Sequence, residues 1–583
     1  MEMNTAVKIP GVLGNLRSKG SAAFSKISLF FFDKPYFTAL LTAFLLFFPI
    51  LYFFKIYFQL NDDYWALFIL KGTVLNRAPS EWNLLENVIL CLGLKDLYLK
   101  FPAIQWYTWF FVTAEFLSLW AILASFQLGS SRFFKTSFFI ISSVALEIHF
   151  FDCLQWTMVA AVAAAAALLL LAGVWRRGDW RFLPLGLAMA FVLLLISVLI
   201  RYKALLLMAA VFFPAMIYLS WKIKMTGARW TILLFLTFAA ALSVAAVIYD
   251  RDYYSRDPDW KKAREAHVQQ DNLIDLRNPV YNKTTKPLFD SIGWTANDFN
   301  LFISHYWMDE DVYSAEKLKK ICDYFPQLAL NKDTQDSFGA MFLNLRTPLA
   351  ILFFLAMFPF LLEDFWQLVF SGGWTVLIVI FCWFDLKIPE RIYLPCFFLQ
   401  INTIISFADF KSHGSAEKSN QVSPIFRLGI FYLGLIFLFS VYLIHLEYNR
   451  NREWTLNAAD LKTSVEKLNP QDDQLYITWG SAFPYEKIDA FNMDFLKHFH
   501  AVSLAWFERT PTTQAMLDWF GYKNLFKEMV DSPDVFLICS PYQYSLYYAY
   551  MLEKYKLKTY GLAVFKSKLF NVYAIHRVRK NPG

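Results

Sequence analysis

Long apolar runs alternate with short polar breaks along most of the chain. A transmembrane helix needs roughly 20 consecutive, mainly apolar residues, and this spacing predicts eleven spans. The pattern therefore indicates a polytopic α-helical membrane protein. The predicted spans cover residues 36–59, 105–127, 136–151, 154–174, 182–200, 204–221, 230–249, 347–363, 366–384, 391–409 and 426–446.

Longer polar regions divide these spans into modules. A first loop, 60–104, follows the first span, and the insert 250–346 is rich in Asp, Lys, Asn and Trp. In the terminal region, the apolar runs DQLYITWG and DVFLICS predict buried strands, while SVEKLN, TQAMLDWFG and SLYYAYMLEKY predict helices. This alternation predicts a small α/β domain. The resulting division is a basic arm 1–35, a seven-span module 36–249, the insert 250–346, four spans in 347–446, and the terminal domain 447–583.

Composition agrees with a membrane protein. Of the 583 residues, 57% are hydrophobic and only 18% are charged, against about a quarter charged in soluble domains. The net charge of +7 follows from loop asymmetry, so it does not indicate nucleic-acid binding. None of the six cysteines forms a CxxC pair, so the sequence supports neither a zinc site nor a disulfide framework.

Charge in the short loops predicts orientation, since cytoplasmic loops carry an excess of Lys and Arg. With the N-terminus inside, the loops SSRFFK, WRRGDWR, WKIKMTGAR and KSHGSAEKSNQVSPIFR are all cytoplasmic and basic. The first loop, the insert and the C-terminal domain are then extracytoplasmic.

A pair of aspartates, Asp62 and Asp63, directly follows the first predicted span in FQLNDDYWALFILKG. One interpretation is a helix end stopped by solvated polar residues. The other is a general base at the membrane surface, because a lipid boundary and a second carboxylate raise a carboxyl pKa toward neutral pH. The segment YWALFILKGTVL looks amphipathic, and we expect it to lie along the interface over these carboxylates.

Four cations lie in predicted outer loops, where the orientation rule disfavours them. Arg201 and Lys203 lie in IRYK, and Lys387 and Arg391 lie in DLKIPER. Snorkelling explains lone cations at helix ends, but a phosphate group at the outer leaflet also needs cations. The functional interpretation assigns all four to a donor phosphate.

Further outer residues are candidates for substrate binding. His149 and Asp152 end the third predicted span, and Glu390 precedes Arg391. For His149, we favour the alternative of an interfacial histidine. Glu115 lies near the middle of the second span, where a charge is costly and marks a functional candidate.

The insert contains the stretch SIGWTANDFNLFISHYWMDEDVYSAEKL, which crowds aromatic, amide and carboxylate side chains together. Stacking on rings and hydrogen bonding to carboxylates is how proteins hold sugars. The alternative is a folded cap whose acidity complements helix ends, with Ser314 as an N-cap. The sugar-binding interpretation assigns substrate contacts to Trp294, Asp298, Trp307, Asp309 and Glu310.

The acidic pair after the first span, the segment behind it, about eleven spans and an outer C-terminal domain occur together in one class of enzymes. On the stretches NDDYW, GWTANDFNLFISHYWMDEDVYS and KIPERIYLP, the chain resembles the GT-C superfamily of integral-membrane glycosyltransferases. More narrowly, it looks like multi-span proteins of bacterial surface-polysaccharide clusters. The resemblance covers most of the chain and implies a GT-C-like fold in the bacterial inner membrane.

The resemblance also implies a reaction. GT-C enzymes pass a sugar from a polyprenyl-phosphate or diphosphate carrier to an acceptor outside the cytoplasm, with an acidic residue of the first outer loop as base. By position, that residue is Asp62 or Asp63. The terminal domain lacks a WWD-type motif, which favours a glycan or lipid acceptor over a peptide. The expected displacement is inverting and needs no organic cofactor, while a divalent cation, Mg²⁺ or Mn²⁺, stays open.

Two other functions also stay open. A flippase or transporter of a lipid-linked glycan would use the outer cations and Glu115, although no inverted repeat is visible. An O-antigen-type polymerase or ligase would use similar donors with Arg201, Arg391 and His149. For the favoured glycosyltransferase, the expected partners are a lipid-linked sugar donor, a glycan or lipid acceptor and membrane lipids, and not nucleic acid.

Overall fold

A computed structural model describes residues 34–325, 390–407 and 424–578, except 76, 130–131, 224–225, 278, 505–506 and 524. This part of the chain is mostly helical. Five of its helices are long and apolar enough to cross a membrane, or six if one bent pair forms a single span. The protein is therefore membrane-embedded, as predicted, whereas the count of eleven spans stays a prediction. Most of the basic arm, the predicted spans 347–363 and 366–384, and Lys387 lie outside the described residues.

The N-terminal module combines long apolar helices with short ones at its ends. In chain order it contains α1 (Pro35–Phe53), β1 (Tyr57–Phe58), α2 (Asn61–Lys71), α3 (Val88–Lys100), α4 (Trp106–Leu128), α5 (Arg132–Ser142), α6 (Val144–Asp152), β2 (Cys153–Leu154), α7 (Trp156–Arg177), α8 (Leu183–Lys222) and α9 (Gly227–Ser255).

Helix α7 forms the centre of this module. Its alanine-rich span is buried along its whole length, because small side chains let neighbouring helices approach closely. A Cβ atom on Gly173 would meet the Cα of Ser125 in α4 at 3.0 Å. At its start, the Gln155 side chain accepts a 2.9 Å hydrogen bond from the Met158 N–H, and Gly178 ends it with a φ of +64°.

Four predicted spans differ from the structure in how the chain is divided into helices. The first helix ends at Phe53, and the chain then forms β1, which pairs in parallel with β2. The predicted span 136–151 is two helices, α5 and α6, bent by 55°. The predicted spans 182–200 and 204–221 form the single 40-residue helix α8, which is interrupted at Arg201 by extended backbone.

Cations of three predicted basic loops lie at one end of the bundle, and most of the fourth loop lies outside the described residues. Lys135 donates a 2.6 Å hydrogen bond to the Ser406 carbonyl, and Arg176 donates to the same oxygen. Arg229 donates to the Trp175 carbonyl at 3.0 Å. The cations thus gather at the end of α7 opposite its Trp156 terminus, and the assignment of this end to the cytoplasm stays a prediction.

The insert is helical, and the chain re-enters the bundle after it. Helix α9 continues to Ser255, beyond the predicted end of its span. The insert contains α10 (Pro258–Leu276), α11 (Lys286–Ser291), α12 (Ala296–Ile303) and α13 (Ala315–Tyr324), and the bundle is completed by α14 (Glu390–Phe407) and α15 (Pro424–Leu468). As predicted, Ser314 caps its helix, accepting a hydrogen bond from the Lys317 N–H.

The terminal domain contains a five-stranded sheet, and both predicted strands are present. Its elements are β3 (Leu475–Trp479), β4 (His500–Leu504), α16 (Pro511–Phe520), α17 (Leu525–Glu528), β5 (Val535–Ile538), α18 (Pro541–Tyr555), β6 (Thr559–Lys566) and β7 (Asn571–Arg577). The strand order is β4-β3-β5-β7-β6. Strands β4, β3 and β5 are parallel to one another, and β7 pairs antiparallel with both β5 and β6. The carboxyl ends of the parallel strands therefore share one edge of the sheet, where α/β domains place ligands.

Candidate functional site

The two predicted aspartates lie in the first turn of α2. Asp62 is half-buried and Asp63 is completely buried. One carboxyl oxygen of Asp63 accepts a 3.1 Å hydrogen bond from the backbone N–H of Trp156, at the start of α7. Carboxylates at both helix N-termini are favoured by the helix dipoles. Asp63 is thus held between two helices, while Asp62 keeps partial access to solvent.

Two of the predicted cations lie close to Asp63 or to its hydrogen-bond partner Trp156. The Arg201 guanidinium lies 3.9 Å from the ring centroid of Trp156, the residue bonded to Asp63. Arg391, from α14, lies close enough to lower the pKa of Asp63. Lys203, by contrast, is exposed. Arg201, at the interruption of α8, therefore lies beside the residue that holds the Asp63 carboxyl group.

Glu86 is a site residue that the sequence analysis missed. It is buried, and its carboxyl group accepts hydrogen bonds from the Tyr107 hydroxyl at 2.6 Å and from the Asn83 side chain. Burial raises the pKa of Glu86 to about 7, although Tyr107, Asn83 and Arg201 lower it. Its position in a polar loop between α2 and α3 gave no periodic signal.

Burial also raises the pKa of Asp63 well above its usual range, and Glu86 and Asp62 raise it further. The Trp156 N–H and Arg391 act in the opposite direction. A carboxyl group that is protonated near neutral pH donates a hydrogen bond instead of adding negative charge. The site therefore combines two arginines with carboxyl groups whose charge is suppressed, which suits an anionic ligand.

The sheet domain covers α2. Asn61 donates a 3.3 Å hydrogen bond to the carbonyl of Gly480, directly after β3, and Tyr64 donates to the carbonyl of Ile488. Residues 63–70 are all buried. The expectation of an amphipathic segment along the lipid interface is therefore wrong, because the domain encloses the face that was expected to lie on lipid.

His149 and Asp152 lie in a second polar cluster, which is mainly an ion-pair network. Arg450 of α15 donates to both oxygens of Asp152, at 2.8 and 3.0 Å, and pairs with Glu447 at 2.5 Å. His149 lies 3.3 Å from Glu390 and 3.7 Å from Glu447. Three of the predicted residues thus meet, but Arg450 and Glu447 were not predicted, because they lie on a helix far away in the chain, with Arg450 298 positions after Asp152.

This cluster also contains a geometric cation candidate. One ligand atom each of His149, Asp152 and Glu447 lies within 4.8 Å of the others. However, the Arg450 guanidinium already neutralises both carboxylates. The donor types suit a divalent ion, but this arrangement fits an internal salt bridge better, so we assign no metal to it.

The two tryptophans of the insert are core residues. Trp294 is 2% exposed and Trp307 is fully buried. Their indole N–H groups donate to the carbonyls of Val312 and Phe302, at 2.7 and 2.8 Å. Aromatic neighbours surround both rings. In this structure, neither ring offers a face on which a sugar could stack.

The three acidic residues of the insert that were predicted to contact a sugar separate into two groups. Asp298 completes a capping box with Thr295 at the start of α12, as the helix-capping alternative requires. Asp309 accepts a 2.6 Å hydrogen bond from the Tyr550 hydroxyl, and Glu310 pairs with Lys262 at 2.6 Å. Only the last two residues line a cleft, which lies against the sheet domain.

Glu115 is buried in the bundle near a second buried carboxyl group, that of Glu147 in α6.

Comparison with protein-family models, curated proteins and solved structures finds no match for this chain. Its function is therefore argued from the geometry of the site.

Proposed function

We propose that this protein transfers a sugar from a polyprenyl-phosphate carrier to an acceptor hydroxyl at the membrane surface, as a GT-C-type glycosyltransferase. One observation carries the proposal: the acidic pair that begins α2, the buried carboxyl of Glu86, and Arg201 and Arg391 converge from four separate segments. Four segments meeting around one anion-compatible centre favour a binding site over solvated helix ends.

Asp62 is the residue that we assign as base. Its half-buried side chain leaves room for an acceptor, whereas Asp63 is enclosed and bonded to α7. In the reaction, the Asp62 carboxylate takes the proton of the acceptor hydroxyl. The acceptor oxygen then forms a bond to the anomeric carbon, the bond from that carbon to the phosphate oxygen breaks, and the phosphate leaves with the electron pair. The anomeric configuration is inverted.

Arg201 and Arg391 are assigned to the leaving phosphate. Guanidinium groups bind phosphate oxygens with two parallel hydrogen bonds and stabilise the charge that develops as the bond breaks. Neutral Glu86 and Asp63 would not repel that charge. The single base suffices, because a phosphate is already a good leaving group.

The decisive experiment measures transfer by purified full-length protein in nanodiscs, supplied with a panel of polyprenyl-phosphate sugars and with neutral glycan and lipid acceptors. Asp62→Asn should lower the rate by about 10²–10⁴-fold. Asp179→Asn is the matched control, since Asp179 lies at the opposite end of α7, bonded to Arg181.

Full transfer by Asp62→Asn would contradict the assignment of the base. If every donor in the panel is bound but none is consumed, the protein is not a transferase and the flippase function takes its place. A ladder of products instead of a single addition would identify a polymerase.

A further inference from the structure

A cleft of about 650 Å³ opens between the insert and the sheet domain. This volume lies within the range of about 300–1,000 Å³ that is typical of small-molecule sites. Its walls come from α10, the chain around Asp309, the chain after β4, and α16, α17 and α18. None of its lining residues belongs to the group around Asp63, so it is a second site.

Glu508 is the unusual residue in this cleft. It follows β4, it is only 3% exposed, and neither of its carboxyl oxygens accepts a hydrogen bond of normal geometry from the described residues. Burial raises the pKa of Glu508 well above its usual range, although Arg509 and the backbone N–H of Trp307 lower it. A buried carboxyl group with so few hydrogen-bond partners is destabilising, and its oxygens are available to a ligand in the cleft.

The polar groups around Glu508 are held in fixed positions. Arg509 donates a 2.8 Å hydrogen bond to the carbonyl of Tyr313 and lies 3.5 Å from Glu310. The Tyr306 ring stacks on Phe526, with ring centroids 4.2 Å apart and planes 3° from parallel. Rigid polar groups beside aromatic rings are the components of a preformed binding site.

The charge of the cleft restricts its ligand. Its cations are Lys262, Arg509 and Lys523, and they are outnumbered two to one by carboxyl groups. An anionic ligand would be repelled, whereas hydroxyl groups donate well to carboxylates. The carboxyl groups belong to Asp259, Asp309, Glu310, Asp311, Glu508 and Asp518.

We propose that this cleft binds a neutral saccharide, the glycan acceptor of the reaction. Sugar hydroxyls would donate to Glu508 and its neighbouring carboxylates, and the half-buried ring of Tyr555 would contact an apolar face of the sugar. The proposal deepens the proposed function, since it names the acceptor. Saccharide binding needs no donor, however, so the two can fail separately.

The cleft and the membrane-surface site lie along the same edge of the sheet. Asn61, next to Asp62, bonds to Gly480 directly after β3, and Glu508 follows β4, the neighbouring parallel strand. A saccharide that starts in the cleft could therefore extend along the strand ends toward Asp62. The sheet domain would thus connect the two sites, because both lie along the carboxyl ends of its parallel strands.

The test uses full-length protein in nanodiscs and short neutral oligosaccharides of glucose, galactose and N-acetylglucosamine, with oligogalacturonate as the anionic probe. Binding is followed by saturation-transfer NMR and titration calorimetry without donor. We expect neutral oligosaccharides to bind and oligogalacturonate not to bind. Glu508→Leu should weaken binding at least about tenfold while the melting temperature stays equal or rises, since a buried carboxyl group is removed.

Asp473→Asn is the control, because Asp473 is an exposed carboxylate of the same domain outside the cleft. Unchanged binding by Glu508→Leu, binding of the uronate alone, or no binding by any saccharide of the panel would each overturn the proposal. Saccharide binding that depends on Glu508 in a protein without transferase activity would uphold the cleft and overturn the proposed function instead.

Discussion

The carboxyl group of Asp63 accepts a 3.1 Å hydrogen bond from the backbone N–H of Trp156, 93 positions later in the chain. This contact joins the start of α2 to the start of the central helix α7. Since the Trp156 ring also lies 3.9 Å from the Arg201 guanidinium, this one residue contacts both the Asp63 carboxyl group and the Arg201 cation. The two aspartates consequently have separable roles.

Asp63 is predicted to position α2, and Asp62 to carry out proton transfer. Asp63→Asn retains an oxygen that can accept the Trp156 N–H, so we expect most of the transfer activity to remain. Asp63→Ala removes the acceptor and should destabilise the protein by about 1 kcal/mol, as for a lost helix cap. Transfer assays and melting curves of both variants check this. A larger activity loss for Asp63→Asn than for Asp62→Asn would reverse the assignment.

Arg201 and Lys203 provide a matched pair of cations. Arg201 lies at the site, whereas Lys203 is exposed two positions later. Arg201→Gln should raise the KM for the lipid-phosphate donor about tenfold to a hundredfold, the range for a lost charged hydrogen bond, and Lys203→Gln should change it little. Steady-state kinetics in nanodiscs measure both. Equal effects of the two substitutions would mean that general surface charge attracts the donor.

The free energy of unfolding should fall as the pH rises from about 4.5 through about 7, because Glu86 ionises over this range. The folded-state pKa of Glu86 is raised from 4.5 to about 7 by burial, so the folded protein binds more protons than the unfolded chain between these values. Its stabilising effect is complete at low pH and is lost as the carboxyl ionises, to a total of about 3 kcal/mol. Glu86→Gln should remove this loss, as seen in melting temperatures across pH.

Glu81, in the same loop, is the control of opposite sign. Burial raises its pKa, but Lys95 and Tyr253 outweigh that effect and the net pKa is lowered. Its contribution is therefore lost as pH falls, and Glu81→Gln should flatten the acid side of the profile alone. A Glu86→Gln profile identical to that of the wild type would show that Glu86 is not the group that titrates.

Arg450 should be essential for stability. Arg450→Met leaves Asp152 and Glu447 buried without their cation, and breaking such a buried pair costs about 3–5 kcal/mol. Adding Asp152→Asn should recover part of the loss. Arg452→Met is the control, because Arg452 is an exposed residue of the same helix. Equal melting temperatures for Arg450→Met and Arg452→Met would contradict the network.

The sequence predicted local features well. The apolar runs before Gly480 and before Ser540 form the expected buried strands β3 and β5, because a continuous apolar run between turn residues has few other solutions. Of the disfavoured cations, Arg391 approaches Asp63 and Arg201 approaches Glu86. Charge in an unexpected place was thus an informative signal.

Residues that act through distant contacts were not predictable. Glu86, Arg450 and Glu508 acquire their roles from neighbours far away in the chain, and their local sequence is typical of polar loops or helix ends. Trp294 and Trp307 were assigned to sugars because a sequence does not distinguish a ring that faces solvent from a ring in a core. Their burial follows from partners up to eighteen positions away.

Helix α15 runs for 45 residues, Pro424–Leu468, from the bundle into the sheet domain, where Leu461 and Val465 are buried. At about 1.5 Å per residue it measures about 67 Å. Along the way, Asn451 bonds to the backbone of Lys55 at 2.7 Å. The sheet domain is therefore joined to the bundle by a continuous helix and not by a flexible linker. The distance between the sheet domain and the bundle is thus set by that helix and not by a loop.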